Sequence, residues 1–177
     1  MSFSTETHPG VCAQPGPASA GFVLNHCILR VKDPAVSPDF YTQVFGMRVL
    51  RKLDFPEMKF SLYFLHRKVA GNPRPKTWGE SAAWTFAQHG LLELTHDWGT
   101  ESDAGFAYHD DAQPQSFGHI CFSAPDLDAA IRWFDENWVV YVKRPEQGKM
   151  KDVTFIKDPD GYGIEIVEPA RLKGLGR

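Results

Sequence analysis

The chain has 177 residues, 42% of them hydrophobic and 13% aromatic, so it can bury a sizeable core in one domain or two small fused modules. Its formal charge of -3 and isoelectric point near 6.1 argue against a basic surface for nucleic acid or an anionic membrane. No apolar run approaches the roughly 20 residues of a membrane span. These properties favour a small-molecule partner.

Residues 1–20 are rich in Pro, Gly, Ser and Ala without periodicity, which predicts a flexible tail before a folded domain over 21–177. This start lacks the apolar segment of a secretory signal. Three cysteines, at Cys12, Cys27 and Cys121, are odd in number and widely spaced, so we expect free thiols rather than disulfides. Together these features predict a cytoplasmic protein.

The first half of the sequence is predicted to form one module over about 22–97. Apolar and β-branched residues indicate a strand over 23–31, and helical spacing of aromatics indicates a helix over 35–45 that stops at Gly46. Four further segments carry strand-type residues between breakers and are predicted as strands: RVLRKLD, KFSLYFLH, SAAWTFAQ and GLLELTH.

After a loop over 98–115, the second half repeats this order over about 116–169. HICFSA is predicted as a strand, DLDAAIRWFDENW as a helix, and VVYVKR, DVTFIKD and GIEIVEP as strands. The prediction is therefore an α+β fold of two βαβββ modules in one chain.

The repeat holds residue by residue. His26 lies seven residues before Asp33 in LNHCILRVKD, and His119 lies seven residues before Asp126 in GHICFSAPD. Aromatic residues follow each aspartate at the same three offsets: Phe40, Tyr41 and Phe45 in the first half, and Trp133, Phe134 and Trp138 in the second. Such a coincidence in register indicates an internal duplication.

Each half also ends in a strand with a glutamate among aliphatic residues, Glu93 in LLELTH and Glu165 in GIEIVEP. A carboxylate buried in an interior strand is costly unless its charge is compensated. Two imidazoles and two carboxylates, from His26, Glu93, His119 and Glu165, form a ligand set suited to a divalent transition ion such as zinc or nickel. His96 faces away from Glu93 and is predicted to be structural, as is Cys121, expected to be a buried core thiol.

Several phrases of the chain closely resemble glyoxalase I, the lactoylglutathione lyase family of the vicinal-oxygen-chelate superfamily, over residues 22 to about 169. They are LRVKDP, DFYTQVFGM, DFPEMKFSLYFL, LELTHDWGTE, FGHI, GKMK and FIKDPDGYGIEI. The resemblance implies a vicinal-oxygen-chelate fold and a homodimer with active sites between subunits. It also implies one divalent metal ion per site, with ligands falling on the same four residues: His26, Glu93, His119 and Glu165.

The implied reaction is isomerisation of the hemithioacetal of methylglyoxal and glutathione to S-D-lactoylglutathione, a step of methylglyoxal detoxification. A proton must leave a weakly acidic C–H group, and a ligand carboxylate beside the metal is well placed to take it. The resemblance assigns this role to Glu165, with Glu93 serving the other substrate enantiomer. No redox cofactor is required.

The family resemblance also implies residues that bind the thiol substrate. Arg30 shares a strand face with His26 and suits a glutathione carboxylate, and Lys143, Lys149 and Met150 match thiol-binding positions of the family. An apolar stripe, open to interpretation as plain core, would line the substrate pocket: Phe55, Met58, Phe60, Leu62 and Phe64.

Two positions depart from human-like members of the family, which carry asparagine in place of Asp97 and arginine in place of Gln115. Both changes remove a favourable partner for a carboxylate, although Asp97 could instead meet the ammonium group of glutathione. The sequence is compatible with either nickel or zinc as the metal ion. The histidine at position 26 is found in short, nickel-associated forms, whereas the long loops at 67–80 and 97–115 resemble zinc-activated forms, and zinc is favoured.

Two rival functions use the same scaffold. A ring-cleaving dioxygenase would hold iron with two histidines and one carboxylate, so the fourth ligand and the GKMK phrase argue against it. A metal-free drug-sequestering module would have no need of four buried ligand-type residues.

Overall fold

The computed structural model describes residue 14 and residues 16–67, 75–108 and 117–174. Within these ranges the chain forms strands β1 (His26–Arg30), β2 (Met47–Phe55), β3 (Phe60–Arg67), β4 (Leu91–Asp97), β5 (His119–Ser123), β6 (Tyr141–Lys143), β7 (Val153–Lys157) and β8 (Gly163–Val167). The helices are α1 (Val36–Val44), α2 (Trp78–Phe86) and α3 (Leu127–Glu136).

The strands form two four-stranded sheets with the same topology. The first has the order β1-β4-β3-β2 and the second the order β5-β8-β7-β6. In each sheet the first strand pairs in parallel with the last, and the other pairings are antiparallel. The predicted α+β fold of two repeated modules is confirmed, and the two glutamate-bearing strands, β4 and β8, lie inside their sheets.

One predicted strand is wrong, because SAAWTFAQ lies almost entirely in helix α2. Thr77 caps this helix by accepting a hydrogen bond from the Glu80 backbone N–H, and its hydroxyl donates to the Glu80 carboxylate. A Thr followed three residues later by Glu is a capping-box signal that was present in the sequence. The helix packs onto the first sheet through Phe86, whose ring centroid lies 5.0 Å from that of Phe64.

The other predicted elements exist, several of them with different bounds. The strand predicted over 23–31 is limited to His26–Arg30, and the helix predicted over 35–45 spans Val36–Val44. Asp126 caps α3 by accepting a hydrogen bond from the Ala129 N–H. Of the predicted tail, residues 1–13 and 15 lie outside the described residues, while Pro17–Ser19 form a short 3-10 turn.

In the described part of the chain, a hydrophobic core cluster contains residues of both modules. Side chains from the inner face of the first sheet, from α1 and α3, and from β7 and β8 belong to one buried cluster. Phe45, just after α1, stacks on Phe122 of β5 with ring centroids 4.2 Å apart. Trp133 of α3 donates its indole N–H to the Val44 carbonyl, which satisfies one carbonyl at the end of α1.

A polar connection ties the turn before β8 to the first module. Asp158, 5% exposed, accepts hydrogen bonds from the Tyr41 hydroxyl and the Tyr162 N–H, both at 2.8 Å. Asp160 accepts from the Lys32 N–H at 2.7 Å and from the Ser37 hydroxyl. Burial raises the pKa of Asp158 to about 6. The end of β1 and the start of β8 are therefore held by the same turn.

None of the helices in the described residues is long and apolar enough to cross a membrane. Cys27 and Cys121 are free thiols, as predicted, and Cys12 lies outside the described residues.

Candidate metal and thiol-binding site

His26 and Glu93 form the first pair of predicted ligands. Parallel pairing of β1 with β4 places Glu93 beside Ile28, so its side chain shares a face with His26, and His26 Nε2 lies 3.3 Å from Glu93 Oε2. Glu93 is 6% exposed, and the Thr95 hydroxyl donates to its other oxygen at 3.1 Å. A buried carboxylate thus faces an imidazole nitrogen with little compensation from its own sheet.

Asn25 determines which nitrogen of His26 is available. Its amide group donates to the Phe86 and Gln88 carbonyls at 2.8 and 2.7 Å, so its oxygen points at His26 Nδ1, 2.7 Å away. Nδ1 must therefore be the donor, which leaves the Nε2 lone pair directed toward Glu93 in the neutral ring. The His26 nitrogen and the Glu93 oxygen, 3.3 Å apart, therefore form a pair that a shared proton or a metal ion could bridge. Asn25 was not among the predicted site residues, although it directly precedes the predicted ligand His26.

His119 and Glu165 repeat this arrangement in the second sheet. Parallel pairing of β5 with β8 sets Glu165 beside Cys121, and His119 Nε2 lies 3.2 Å from Glu165 Oε2. This pair is more open, with 42% of the His119 side chain and 19% of the Glu165 side chain exposed. Two sheets of the same topology therefore present the same donor atoms at nearly the same separation.

An aromatic ring accompanies each pair at the same position of the repeat. Phe64 lies opposite Glu93 in the ladder and meets His26 edge to face, with centroids 5.8 Å apart. Phe155 lies opposite Glu165 and meets His119 in the same way at 5.2 Å. Phe64 belongs to the predicted apolar stripe, whereas Phe155 was not predicted, although it occupies the equivalent position of the repeat.

The four predicted ligands occur in one chain as two pairs. Among residues 16–67, 75–108 and 117–174, no three His, Cys, Asp or Glu side chains come together in a group able to hold a metal ion. Each module therefore carries half of the predicted ligand set on its own sheet.

The rest of the apolar stripe extends from the first pair along the same face. Phe60 and Leu62 precede Phe64 on β3 and lie opposite Asp97 and Thr95 in the ladder. Phe55 stacks on Phe60 with ring centroids 4.7 Å apart, and Met58, in the connecting turn, is 62% exposed. This face offers apolar surface next to the His26–Glu93 pair.

Arg30 and Asp97 meet at the end of that face. Arg30 Nη1 donates to Asp97 Oδ2 at 2.8 Å, and the Tyr108 hydroxyl donates to the same oxygen at 2.6 Å. Burial and then the Asp97 carboxylate raise the pKa of Tyr108 to about 12. The two positions that were predicted separately therefore form one ion pair, and Gln115 lies outside the described residues.

The GKMK segment is organised by Lys143. Its ammonium group donates to the carbonyls of Met150 and Val153, at 2.5 and 2.9 Å. Lys143 lies opposite Phe155 in the β6–β7 ladder, and thus on the face that carries Glu165. Lys149 and Met150 are exposed in the connection between β6 and β7. Lys143 therefore holds the backbone that presents the other two predicted residues.

His96 and Cys121 had both been predicted as structural. His96 is 4% exposed on the opposite face from Glu93 and bonds Glu101 at 2.8 Å, which confirms the prediction. The prediction of a buried core thiol at Cys121 is wrong, because this residue is exposed on the outer strand of its sheet. Partial burial and the neighbouring Glu165 raise the pKa of Cys121 to about 11.

Comparisons with known proteins identify the family of the chain. Residues 23–166 match the model of the Glyoxalase/Bleomycin resistance protein/Dioxygenase superfamily. The chain is 49% identical to a lactoylglutathione lyase of Pseudomonas aeruginosa, over 100% of this chain and 99% of the relative. It is also 49% identical to a lactoylglutathione lyase of Pseudomonas putida, over 94% of this chain and 96% of the relative.

A solved structure shows the same architecture. The trypanothione-dependent glyoxalase I of Leishmania major matches with a TM-score of 0.62 and 28% identity, over 84% of this chain and 88% of that one. On the evidence of the duplicated sheets, the paired His and Glu residues and these relatives, the chain belongs to the glyoxalase I family within the Glyoxalase/Bleomycin resistance protein/Dioxygenase superfamily.

Proposed function

We propose that this chain is a lactoylglutathione lyase, which isomerises the hemithioacetal of methylglyoxal and glutathione to S-D-lactoylglutathione in methylglyoxal detoxification. The observation that carries the proposal is the duplicated pair of His Nε2 and Glu Oε2 atoms, 3.3 Å apart in the first sheet and 3.2 Å in the second. A lactoylglutathione lyase that is 49% identical to the chain aligns with it over its whole length.

His26, Glu93, His119 and Glu165 would hold one divalent metal ion per site, zinc in preference to nickel. Two neutral imidazoles and two carboxylates suit either ion, and the carboxylates balance its charge. When bound, the ion supplies the positive charge that stabilises the enediolate oxygens of the reacting substrate.

Glu165 is the principal base and Glu93 the base for the other enantiomer. The reaction moves one hydrogen from the hemithioacetal carbon to its neighbour, so a single carboxylate can accept the proton from one carbon and return it to the other. The side chain of Glu165 is the more open of the two, with 19% exposed against 7% for Glu93. This accessibility supports the assignment of Glu165 as the principal base.

The active sites lie between two subunits of a homodimer. Each chain presents one His–Glu pair per sheet, and two chains related by a two-fold axis can combine unlike pairs into two complete ligand sets. Exposed apolar side chains just before β1 support such an interface, among them Phe22 and Leu24, which are 82% and 83% exposed.

Glutathione is the thiol cosubstrate, and Arg30, Asp97, Lys143, Lys149 and Met150 bind it. The guanidinium group of Arg30 offers donors to a carboxylate, and the Lys149 side chain adds a positive charge in an exposed loop. The free thiols at Cys27 and Cys121 support a reducing compartment, the cytoplasm.

The test joins metal analysis of the purified protein with a methylglyoxal–glutathione isomerase assay. We expect about one divalent ion per chain, loss of activity on chelation, and recovery on addition of zinc or nickel. Glutathione alone and methylglyoxal alone serve as substrate controls. Undiminished turnover in a verified metal-free sample, or no turnover in the metal-loaded protein, would contradict the proposal.

A further inference from the structure

Asn25, which directly precedes β1, contacts the end of helix α2 and the ring of His26 at the same time. Its amide group donates hydrogen bonds to the Phe86 and Gln88 carbonyls, at 2.8 and 2.7 Å. These carbonyls lie at the C-terminal end of α2, where a helix leaves backbone acceptors without partners. Because both bonds use the amide nitrogen, the side-chain oxygen of Asn25 is the atom that faces His26 Nδ1, 2.7 Å away.

Phe86 also supports His26 through an apolar route. The Phe86 ring centroid lies 5.0 Å from that of Phe64, and Phe64 in turn meets the His26 ring edge to face at 5.8 Å. The end of α2 thus reaches the imidazole twice, through the Asn25 amide and through the Phe64 ring. These contacts fix both the orientation of the ring and the group that its Nδ1 faces.

The proton on His26 decides which nitrogen can bind a metal ion, because a metal binds the lone pair of a neutral imidazole. Two acceptor atoms only 2.7 Å apart would repel each other, so Nδ1 carries the proton that lies between it and the Asn25 oxygen. In the neutral ring the lone pair is then on Nε2, which lies 3.3 Å from Glu93 Oε2. The tautomer that a metal ion requires is therefore set by the protein.

The second module lacks this device. Gly118 precedes His119 as Asn25 precedes His26, and glycine has no side chain that can accept a hydrogen bond. In the described part of the chain, the one polar partner of the His119 ring is Glu165, whose Oε2 lies 3.2 Å from Nε2. A carboxylate at this distance favours a proton on Nε2 in the metal-free ring. The two predicted histidine ligands are therefore prepared differently.

We propose that Asn25 is a positioning residue that fixes the Nδ1–H tautomer of His26 and so prepares the first module for the metal ion. The inference rests on the metal binding proposed above and adds an order to it. His26 presents its Nε2 lone pair before the metal arrives, whereas His119 must first lose a proton from Nε2 to water and take one on Nδ1.

The first test determines both tautomers by nitrogen-15 NMR of metal-free protein with labelled histidines. It is made at pH about 9, where imidazole in water is neutral. The two signals are identified by their loss in His26→Gln and His119→Gln. We expect Nδ1–H for His26 and Nε2–H for His119 in the wild-type protein. In Asn25→Ala, His26 should change to Nε2–H, while His119 stays unchanged as an internal control.

The second test measures zinc affinity by competition with a chelating indicator. Loss of a hydrogen-bond partner behind a metal-binding histidine typically weakens binding by roughly 10–100-fold, and we expect this range for Asn25→Ala. Asn137→Ala is the matched control, since the Asn137 amide also donates to a carbonyl at a helix end, that of Trp133 at 2.8 Å, away from the predicted ligands. Its zinc affinity should stay within about twofold of the wild-type value.

Three outcomes overturn the proposal. The first is an Nε2–H tautomer of His26 in the wild-type protein, a result that stays decisive should Asn25→Ala fail to fold. The second is a folded Asn25→Ala protein in which His26 keeps Nδ1–H, since weaker zinc binding alone then reflects a merely structural role. The third is unchanged zinc affinity in Asn25→Ala.

Failure of the proposed function gives a different result. If the wild-type protein neither binds a divalent metal ion nor turns over the hemithioacetal, the proposed function fails and the inference fails with it. If the wild-type protein binds zinc and is active but metal-free His26 carries its proton on Nε2, only the role of Asn25 is wrong.

Discussion

Complementation between two inactive variants tests the division of each active site between subunits. One variant carries His26→Ala and Glu93→Ala, which removes the pair of the first sheet. The other carries His119→Ala and Glu165→Ala, which removes the pair of the second sheet. Since each pair lies within one module, every site in either homodimer retains two of its four ligands, and we expect both homodimers to be inactive.

The expected activity of the mixture follows from the symmetry of the dimer. In a mixed dimer, one site combines the intact first sheet of one chain with the intact second sheet of the other, and the second site combines both damaged sheets. Random pairing gives about half mixed dimers, each with one working site of two, so the mixture should reach roughly a quarter of wild-type activity.

The assay requires unfolding the two variants together, refolding them with the metal, and measuring isomerase activity per chain. Two different affinity tags allow the mixed dimer to be isolated and its formation demonstrated, and isolated mixed dimers should show about half the wild-type activity. The same variants refolded separately and then combined without exchange serve as the control. Inactive mixed dimers, isolated with both tags present, would refute shared sites and place each active site within a single chain.

Two further variants test individual groups. Glu165→Gln keeps a neutral oxygen ligand but loses the proton acceptor, so turnover should fall by at least ~100-fold while bound metal stays measurable by elemental analysis. Near-normal turnover with metal still bound would assign the base to another residue. Burial raises the pKa of Asp158 from 3.8, its ordinary value in the unfolded chain, to about 6 in the folded protein. Between these pH values the unfolded chain releases a proton that the folded protein keeps, so the free energy of unfolding falls as the pH rises from about 4 through about 6. Relative to Asp158→Asn, the wild-type protein should lose on the order of 3 kcal/mol of unfolding free energy between pH 4 and pH 7, measured by urea titration, and parallel pH profiles would contradict the assignment.

The repeat and the chemistry of the site could be predicted from the sequence because both depend on local spacing. Alternation of side chains along a strand is a property of the backbone, so the faces predicted for His26, Glu93, His119 and Glu165 agree with the observed ladders. Glutamates in aliphatic strands point to a compensating cation for the same local reason. The segment of helix α2 was predicted as a strand because its apolar residues also suit a strand, although the capping-box signal of Thr77 and Glu80 was present in the sequence.

Contacts between segments that are distant in sequence were determined by the tertiary structure. Parallel pairing of β1 with β4 brings Arg30 to Asp97, 67 positions away, and turns two separately predicted groups into an ion pair. Packing of α2 carries the carbonyls of Phe86 and Gln88 to Asn25, which orients His26. Cys121 is exposed because β5 is the outer strand of its sheet, a position that residue type does not reveal. Strand order and helix docking depend on the free energy of the whole fold. A local sequence pattern can therefore predict which residues belong to a site, but not which residues from distant segments they contact.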